Sequence, residues 1–221
     1  MIKLHLFDIE GTTTDINFVH KVLFPYSKKH LSNFVLTHQD TPEVKNAIKD
    51  VRRTVKEEEN RSLDNDEVIA ELNDWIAQDR KHGALKEIQG LIWDVGYKNR
   101  DFTGHIYPDV KPFFENVLKS GAQIGIYSSG SVHAQKLIFT YSDLGDLTPM
   151  ISYYFDTKVG GKREKESYLN IAVATGYEPT EIHFYSDIAQ ELVAAEAAGM
   201  AVTQLLRPGT QVSQFSGISR F

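Results

Sequence analysis

The sequence predicts an α/β protein with a Rossmann-like parallel sheet, interrupted after its first strand by an all-helical insertion. Three observations predict this fold. From residue 105 onward, short apolar strands alternate with helical patterns, as in parallel sheets covered by helices on both faces. Residues 2–7 form an earlier apolar run that ends in a polar loop. Between these segments, apolar residues recur only at helical spacing. We therefore expect an α/β core domain, residues 1–16 and 105–221, and a helical cap domain, residues 17–104.

The helices of the insertion are indicated by apolar spacing and by start signals. Apolar side chains recur at helical intervals in two long stretches, one containing Val44 and Val51 and the other Val68 and Leu72. Pro42 suits the first turn of a helix, and polar residues up to Asp64 suit the start of the next. The charged run 56–61 is predicted to be a solvated surface stretch.

The elements of the core follow in regular order. They are a helix over residues 110–119, a strand over 122–127, a helix over 132–141, a strand over 153–155, a helix over 165–175, a strand over 182–185, a helix over 188–198 and a strand over 201–206. Gly121, Gly176 and Gly199 are expected to end the helices before them. The polar tail after Arg207-Pro208-Gly209 is expected to be loosely held.

Composition excludes several classes of protein. The chain is 41% hydrophobic, which is too apolar for a disordered protein, and its net charge is −6 without any basic cluster. We therefore expect no nucleic-acid partner and no membrane partner. The absence of cysteine excludes thiol nucleophiles, disulfides and iron–sulfur clusters. No apolar run reaches the ~20 residues that span a bilayer, and early charges exclude a signal peptide. A cytoplasmic monomer is predicted.

Polar side chains follow three of the predicted strands. Asp8 and Glu10 come after the first strand, and Asp187 comes after the strand over 182–185. Ligands of open parallel sheets bind at the carboxyl ends of the strands, so these acids are expected to lie together. Carboxylate oxygens, waters and a substrate phosphate are the ligands that Mg²⁺ prefers. The sequence therefore predicts one magnesium ion per chain, bound by Asp8, Glu10 and Asp187.

A phosphate group is the expected companion of this cation. Ser128 and Ser129 follow the strand over 122–127 and open a helix, whose free N–H groups suit an anion. Lys162 lies ahead of another helix and supplies an ammonium group. Taken singly, the serines are equally consistent with helix caps and Lys162 with a surface lysine. Their order along the chain favours phosphate binding.

The order of these residues resembles that of haloacid dehalogenase phosphatases. The first motif of that superfamily, normally D-x-D-x-T, is similar to Asp8-Ile9-Glu10-Gly11-Thr12, with Glu in place of the second Asp. The second, third and fourth motifs match Ser128/Ser129, Lys162 and Asp187. The resemblance implies that Asp8 attacks phosphorus. It also implies that Glu10 protonates the leaving oxygen and later activates water, while its backbone carbonyl binds Mg²⁺.

Longer stretches resemble one family within this superfamily, acireductone synthase, the enolase-phosphatase of methionine salvage. The matching segments are residues 8–13, 18–19, 23–26, 104–110, 127–132, 134–137, 154–157, 162–164, 167–168 and 207–209. The resemblance implies a small phosphorylated diketone, 2,3-diketo-5-methylthiopentyl-1-phosphate, as substrate. Enolisation would precede hydrolysis to acireductone and phosphate.

Several alternatives stay open at this point. A generic small-molecule phosphatase of the same superfamily would keep the four motifs, and a non-catalytic binding module would keep the fold alone. Thr12 and Glu191 are expected to support the metal ligands from behind, although a plain surface acid is an equally simple interpretation of Glu191. The group that abstracts the proton during enolisation is not identified by the sequence.

Overall fold

The computed structural model describes residues 1–78 and 80–221. Its strands form one six-stranded sheet in the order β3-β2-β1-β4-β5-β6, with every neighbouring pair parallel. The strands are β1 (Leu4–Phe7), β2 (Gln123–Tyr127), β3 (Tyr153–Phe155), β4 (Ile182–Ser186), β5 (Ala201–Leu205) and β6 (Gly217–Ile218). The predicted α/β fold with a parallel sheet and a helical insertion after β1 is confirmed.

Helices make up most of the remaining elements. They are α1 (Ile16–Phe18), α2 (Phe24–His38), α3 (Pro42–Glu59), α4 (Asn65–Ala77), α5 (Gly83–Asn99), α6 (Val110–Lys119), α7 (Val132–Thr140), α8 (Lys165–Thr175) and α9 (Ala189–Ala197). A π-helical turn, Val19–Leu23, separates α1 from α2. No helix among the described residues is both long enough and apolar enough to span a bilayer.

Two compact units divide the chain. One comprises Met1–Val19 with Thr103–Phe221, and the other comprises His20–Phe102. The sequence placed these boundaries at 16/17 and 104/105. That the helical unit acts as a cap stays a prediction.

The helical unit has its own apolar core. Val51, Val68 and Leu72 are fully buried within it, as their helical spacing predicts. Asp64 caps α4 by accepting a hydrogen bond from the Glu67 backbone N–H, and the Glu67 carboxylate accepts one in return from the Asp64 N–H. This capping box explains why α4 begins where it does.

The prediction of a loosely held C-terminal tail is wrong. Residues Gly217–Ile218 add strand β6 to the sheet beside β5. The backbone N–H of Phe221 donates to Asp109 at 2.8 Å, and the Phe221 ring packs 4.8 Å from that of Phe113. Hydrogen bonds and aromatic contacts therefore fix a segment whose polar composition alone indicates mobility.

Candidate active site

The carboxyl ends of three central strands bring the predicted polar residues to one edge of the sheet. Phe7 of β1 pairs with Ile126 of β2 on one side and with Tyr185 of β4 on the other. The residues that follow these strands therefore emerge side by side. The backbone N–H of Asp8 also donates to the Tyr185 carbonyl at 2.9 Å. Since β1 is the strand at which the sheet order reverses, this edge is where ligands of such sheets bind.

The segment of residues 8–14, which we call the acidic loop, is a tight and well-bonded turn. Three successive amides, those of Thr12, Thr13 and Thr14, donate to the Ile9 carbonyl at 2.9–3.1 Å. The Thr13 hydroxyl donates to the backbone carbonyl of Asp8 at 3.1 Å. These bonds hold the backbone beneath Asp8 in one conformation.

Lys162 lies between two buried carboxylates. Its Nζ is 2.5 Å from Asp8 Oδ1 and 2.7 Å from Glu191 Oε2. All three side chains are at most a tenth exposed. Burial alone would lower the pKa of Lys162, but the charges of Asp8 and Glu191 outweigh it and raise that pKa. Lys162 is therefore an ammonium ion held against Asp8.

Glu191 supports the lysine rather than lying on the surface. Its Oε2 also accepts a hydrogen bond from the Ser186 hydroxyl at 2.9 Å. Burial and the nearby charge of Asp8 raise the pKa of Glu191 to about 7. The interpretation of Glu191 as a plain surface acid is wrong.

Asp187 is tied to the acidic loop through Thr12. The backbone N–H of Asp187 donates to the Thr12 hydroxyl at 3.1 Å. Its carboxylate packs over Gly11, where an added Cβ would lie 2.7 Å from the Asp187 carboxyl carbon. Burial, followed by the charge of Asp8, raises the pKa of Asp187 to about 7. Asp187 Oδ1 is buried and has no hydrogen-bond partner among the described residues. A buried carboxylate oxygen without a donor fits a cation site.

Glu10 faces the predicted phosphate-binding turn. The Ser128 hydroxyl donates to Glu10 Oε2 at 3.2 Å, and the Gly130 N–H donates to Ser128 Oγ at 3.1 Å. Ser129 is exposed beside them, and the Ser131 hydroxyl caps α7. Burial, together with the charge of Asp8, raises the pKa of Glu10, which favours its protonated form. The turn thus supplies serine side chains and a helix N-terminus, and the Glu10 carboxyl group of the acidic loop lies against it.

Seven of the eight predicted site residues form three contacting groups in the core unit, and the eighth, Ser129, is exposed next to Ser128. Asp8, Lys162 and Glu191 form one, Thr12 and Asp187 the second, and Glu10 and Ser128 the third. Among residues 1–78 and 80–221, no group of three or more His, Asp or Glu side chains is placed so that it could hold a metal ion. That Glu10 contributes its backbone carbonyl to the metal stays a prediction.

Sequence reasoning gave no role to Arg207, although its segment carried part of the family resemblance. The buried Arg207 donates from Nε to the Thr12 carbonyl at 3.1 Å and from Nη1 to the carboxylate of Asp109. The signal available beforehand was an arginine directly after the last predicted strand, at the carboxyl edge of the sheet. Its partner in the acidic loop lies 195 positions away and could not be inferred.

Comparisons with known proteins agree with this geometry. A family model described as haloacid dehalogenase-like hydrolase matches residues 2–199. An enolase-phosphatase E1 of Picosynechococcus sp. is 49% identical, covering 96% of this chain and 93% of the relative. An enolase-phosphatase E1 of Yersinia enterocolitica is 48% identical, covering 100% of this chain and 96% of the relative. The crystal structure of the UTR4 protein of Saccharomyces cerevisiae superposes with a TM-score of 0.84 at 31% identity, covering 100% of this chain and 99% of that one.

Proposed function

Because this chain belongs to the haloacid dehalogenase-like hydrolases and, within them, to the enolase-phosphatase E1 family, we propose that it is an acireductone synthase. The substrate is 2,3-diketo-5-methylthiopentyl-1-phosphate. Its enolisation gives the enol phosphate, and hydrolysis then gives acireductone and phosphate. The observation that carries the proposal is Asp8, buried and held by Lys162 on one oxygen at the carboxyl edge of the sheet. The identity of 48–49% over nearly the whole chain supports the choice of substrate.

The phosphatase step uses Asp8 as nucleophile and Glu10 as acid and base. Lys162 occupies one oxygen of Asp8, and the other attacks phosphorus while the bond from phosphorus to the enol oxygen breaks. Glu10, whose raised pKa keeps a proton available, gives that proton to the departing oxygen. It then takes a proton from the water that attacks phosphorus, which frees phosphate and restores Asp8. Lys162, Ser128 and Ser129 bind the phosphoryl oxygens.

We assign the metal site to Asp8, Asp187 and the backbone carbonyl of Glu10, with one Mg²⁺ per chain. The unpartnered Asp187 Oδ1 and the raised pKa of Asp187 both support a cation at this place. When bound, Mg²⁺ neutralises negative charge on the phosphate and on a developing enolate. Thr12 fixes the distance between the acidic loop and Asp187 through its hydroxyl.

The order of the two steps provides the decisive experiment. In the enolisation step a base takes a proton from the carbon that carries the phosphate ester. The electrons of the broken C–H bond form the new C=C bond, and the π electrons of the neighbouring carbonyl move to its oxygen. A transient enol-phosphate absorbance should therefore precede phosphate release. Deuterium at both positions of that carbon should slow the appearance of this absorbance.

An analogue with an alcohol in place of the neighbouring ketone is the matched control substrate. It keeps the phosphate but cannot form an enolate, so its turnover should be poor. Equal turnover of this analogue, or phosphate release ahead of the enol signal, would favour the generic phosphatase instead. No turnover of any ester by the wild-type chain would favour a non-catalytic binding module.

The remaining features of the proposal concern the setting of the enzyme. The helical unit, His20–Phe102, serves as a cap that selects the substrate, an assignment supported by its insertion after β1. The enzyme acts as a cytoplasmic monomer, in keeping with its acidic composition and its lack of cysteine. Replacement of residues 20–102 by a short linker should abolish turnover of the diketone before that of small aryl phosphates.

A further inference from the structure

Arg207 is a buried arginine of the core unit, and the proposed chemistry does not use it. Its guanidinium lies 4.0 Å above the Tyr107 ring, and its Nη1 donates to both oxygens of Asp109 at 2.9 and 3.1 Å. Asp109 in turn accepts the backbone N–H of Phe221, the last residue of the tail. The guanidinium is thus held on one face by an aromatic ring and along one edge by a carboxylate.

The other edge of the guanidinium reaches the acidic loop. Arg207 Nε donates to the Thr12 carbonyl at 3.1 Å, while the Thr12 hydroxyl accepts the backbone N–H of Asp187 at the same distance. The neighbouring carbonyl, that of Thr13, accepts the N–H of Tyr107 at 2.9 Å. Thr12 is therefore the link between the loop that carries Asp8 and the loop that carries Asp187, and Arg207 fixes the peptide plane of that link.

We propose that Arg207 is a positioning residue, which sets the separation of Asp8 and Asp187 by holding Thr12 from the C-terminal segment. The role depends on the planar guanidinium, because Nε and Nη1 are fixed in one rigid group and bind two different partners. Lysine carries one donor atom at the end of a flexible stem and cannot reproduce both contacts in this geometry. A shift of about 1 Å in a catalytic group can lower the rate by on the order of 10²-fold. The rate should therefore depend on the separation of Asp8 and Asp187.

The inference rests on the proposed function, since it is the reaction that makes the spacing of Asp8 and Asp187 matter. Its first test therefore requires no turnover. Hydrogen exchange of the full-length chain, followed by mass spectrometry, reports the amides of residues 8–14 and 184–191 directly. In Arg207→Lys, exchange in both segments should rise at least tenfold, because Thr12 loses its anchor and the Asp187 amide loses a fixed acceptor.

Val117→Ala is the matched control. Val117 is buried in α6, which follows Asp109 in the chain, and its truncation lowers stability without removing any hydrogen bond to the acidic loop. Exchange in residues 8–14 and 184–191 should stay within threefold of wild type. An equal rise in the control, or no rise in Arg207→Lys, overturns the proposal.

Kinetics give the second test. With the diketone phosphate, kcat of Arg207→Lys should fall at least tenfold and the half-saturating Mg²⁺ concentration should rise, while KM stays within threefold. Unchanged kcat in a folded variant overturns the proposal. Absence of turnover in the wild-type chain would instead refute the proposed function and leave the exchange result to decide the role of Arg207.

Asp109→Asn keeps the proposal testable if Arg207→Lys does not fold. This variant retains the Nε bond to Thr12 but removes the charge that orients Nη1. Exchange in the two segments should rise at least threefold, and less than in Arg207→Lys where both variants fold. Wild-type exchange in folded Asp109→Asn overturns the proposal.

Discussion

Substitution of Gly11 by alanine separates backbone strain from damage to the active site. Gly11 has a φ of 74°, a left-handed conformation that costs a non-glycine residue about 1–2 kcal/mol. The added Cβ would also lie 2.7 Å from the carboxyl carbon of Asp187, well inside the 3.4 Å at which ordinary contact begins. Since the acidic loop is tightly bonded, Asp187 is the group that must move, and its Oδ2, the atom nearest to the added Cβ, must move by about 1 Å.

Gly176 provides the matched control for this substitution. Its φ is also 74°, but nothing lies within 4 Å of an added Cβ. Gly176→Ala should therefore lose about 1–2 kcal/mol in the free energy of unfolding and keep wild-type kcat. Gly11→Ala should lose at least as much stability and, in addition, about 10²-fold in kcat, because the carboxylate that we assign to the metal site is displaced by about 1 Å.

The assay pairs denaturant unfolding with phosphate release at saturating Mg²⁺. Kinetics are to be measured at a temperature where far-UV circular dichroism shows both variants fully folded. A Gly11→Ala enzyme within threefold of wild-type kcat would refute the inferred crowding of Asp187. So would a Gly176→Ala enzyme that loses as much activity as Gly11→Ala.

Three further predictions follow from the site and the sheet. Asp8→Asn should abolish phosphate release without loss of the folded state, since an amide cannot attack phosphorus; measurable turnover under single-turnover conditions would contradict this. Lys162→Met should lower the free energy of unfolding by about 3–5 kcal/mol, because two buried carboxylates lose their shared cation; a loss below 1 kcal/mol in urea titrations would argue against a charged lysine. Burial, followed by the charge of His5, lowers the pKa of His183 from 6.5 to about 4, so the unfolded chain binds more protons in that range and stability falls as the pH drops from 6.5 toward 4. After a discount for the partial exposure of His183, the free energy of unfolding should fall by about 2 kcal/mol over this pH range. In His183→Phe, the free energy of unfolding should depend correspondingly less on pH.

Local signals made much of the sheet predictable. Helix α8 has its predicted bounds. It ends at the predicted residue because Gly176 follows it in the left-handed conformation, at a φ of 74°. Strand β3 likewise has its predicted bounds. Since parallel strands end at a common edge, the order of elements alone predicts that the acidic loop meets Ser128 after β2 and Asp187 after β4.

Contacts between distant side chains could not be predicted in the same way. Glu191 lies one helical turn beyond Asp187, which indicated support for the metal, yet its carboxylate turns to Lys162. The tail beyond Arg207 is polar, and its order depends on backbone pairing with β5 and on the Phe221 ring, neither of which has a periodic pattern. Such contacts are set by three-dimensional packing, which cannot be predicted from the pattern of polar and apolar residues.

The central position of β1 has a consequence for synthesis of the chain. Leu4 pairs with Gln123 on one side and with Ile182 on the other, so β1 has no partner strand until about 115 further residues have been synthesised. The helical unit, whose core is contained within residues 20–102, can collapse from nearby contacts during this interval. Strand β1 stays unpaired and exposes apolar side chains during this time, and unpaired strands of this kind are prone to aggregation. Arg207 contacts the acidic loop across 195 positions of the chain, so this contact, like the strand pairing, can form only after most of the core unit has been synthesised.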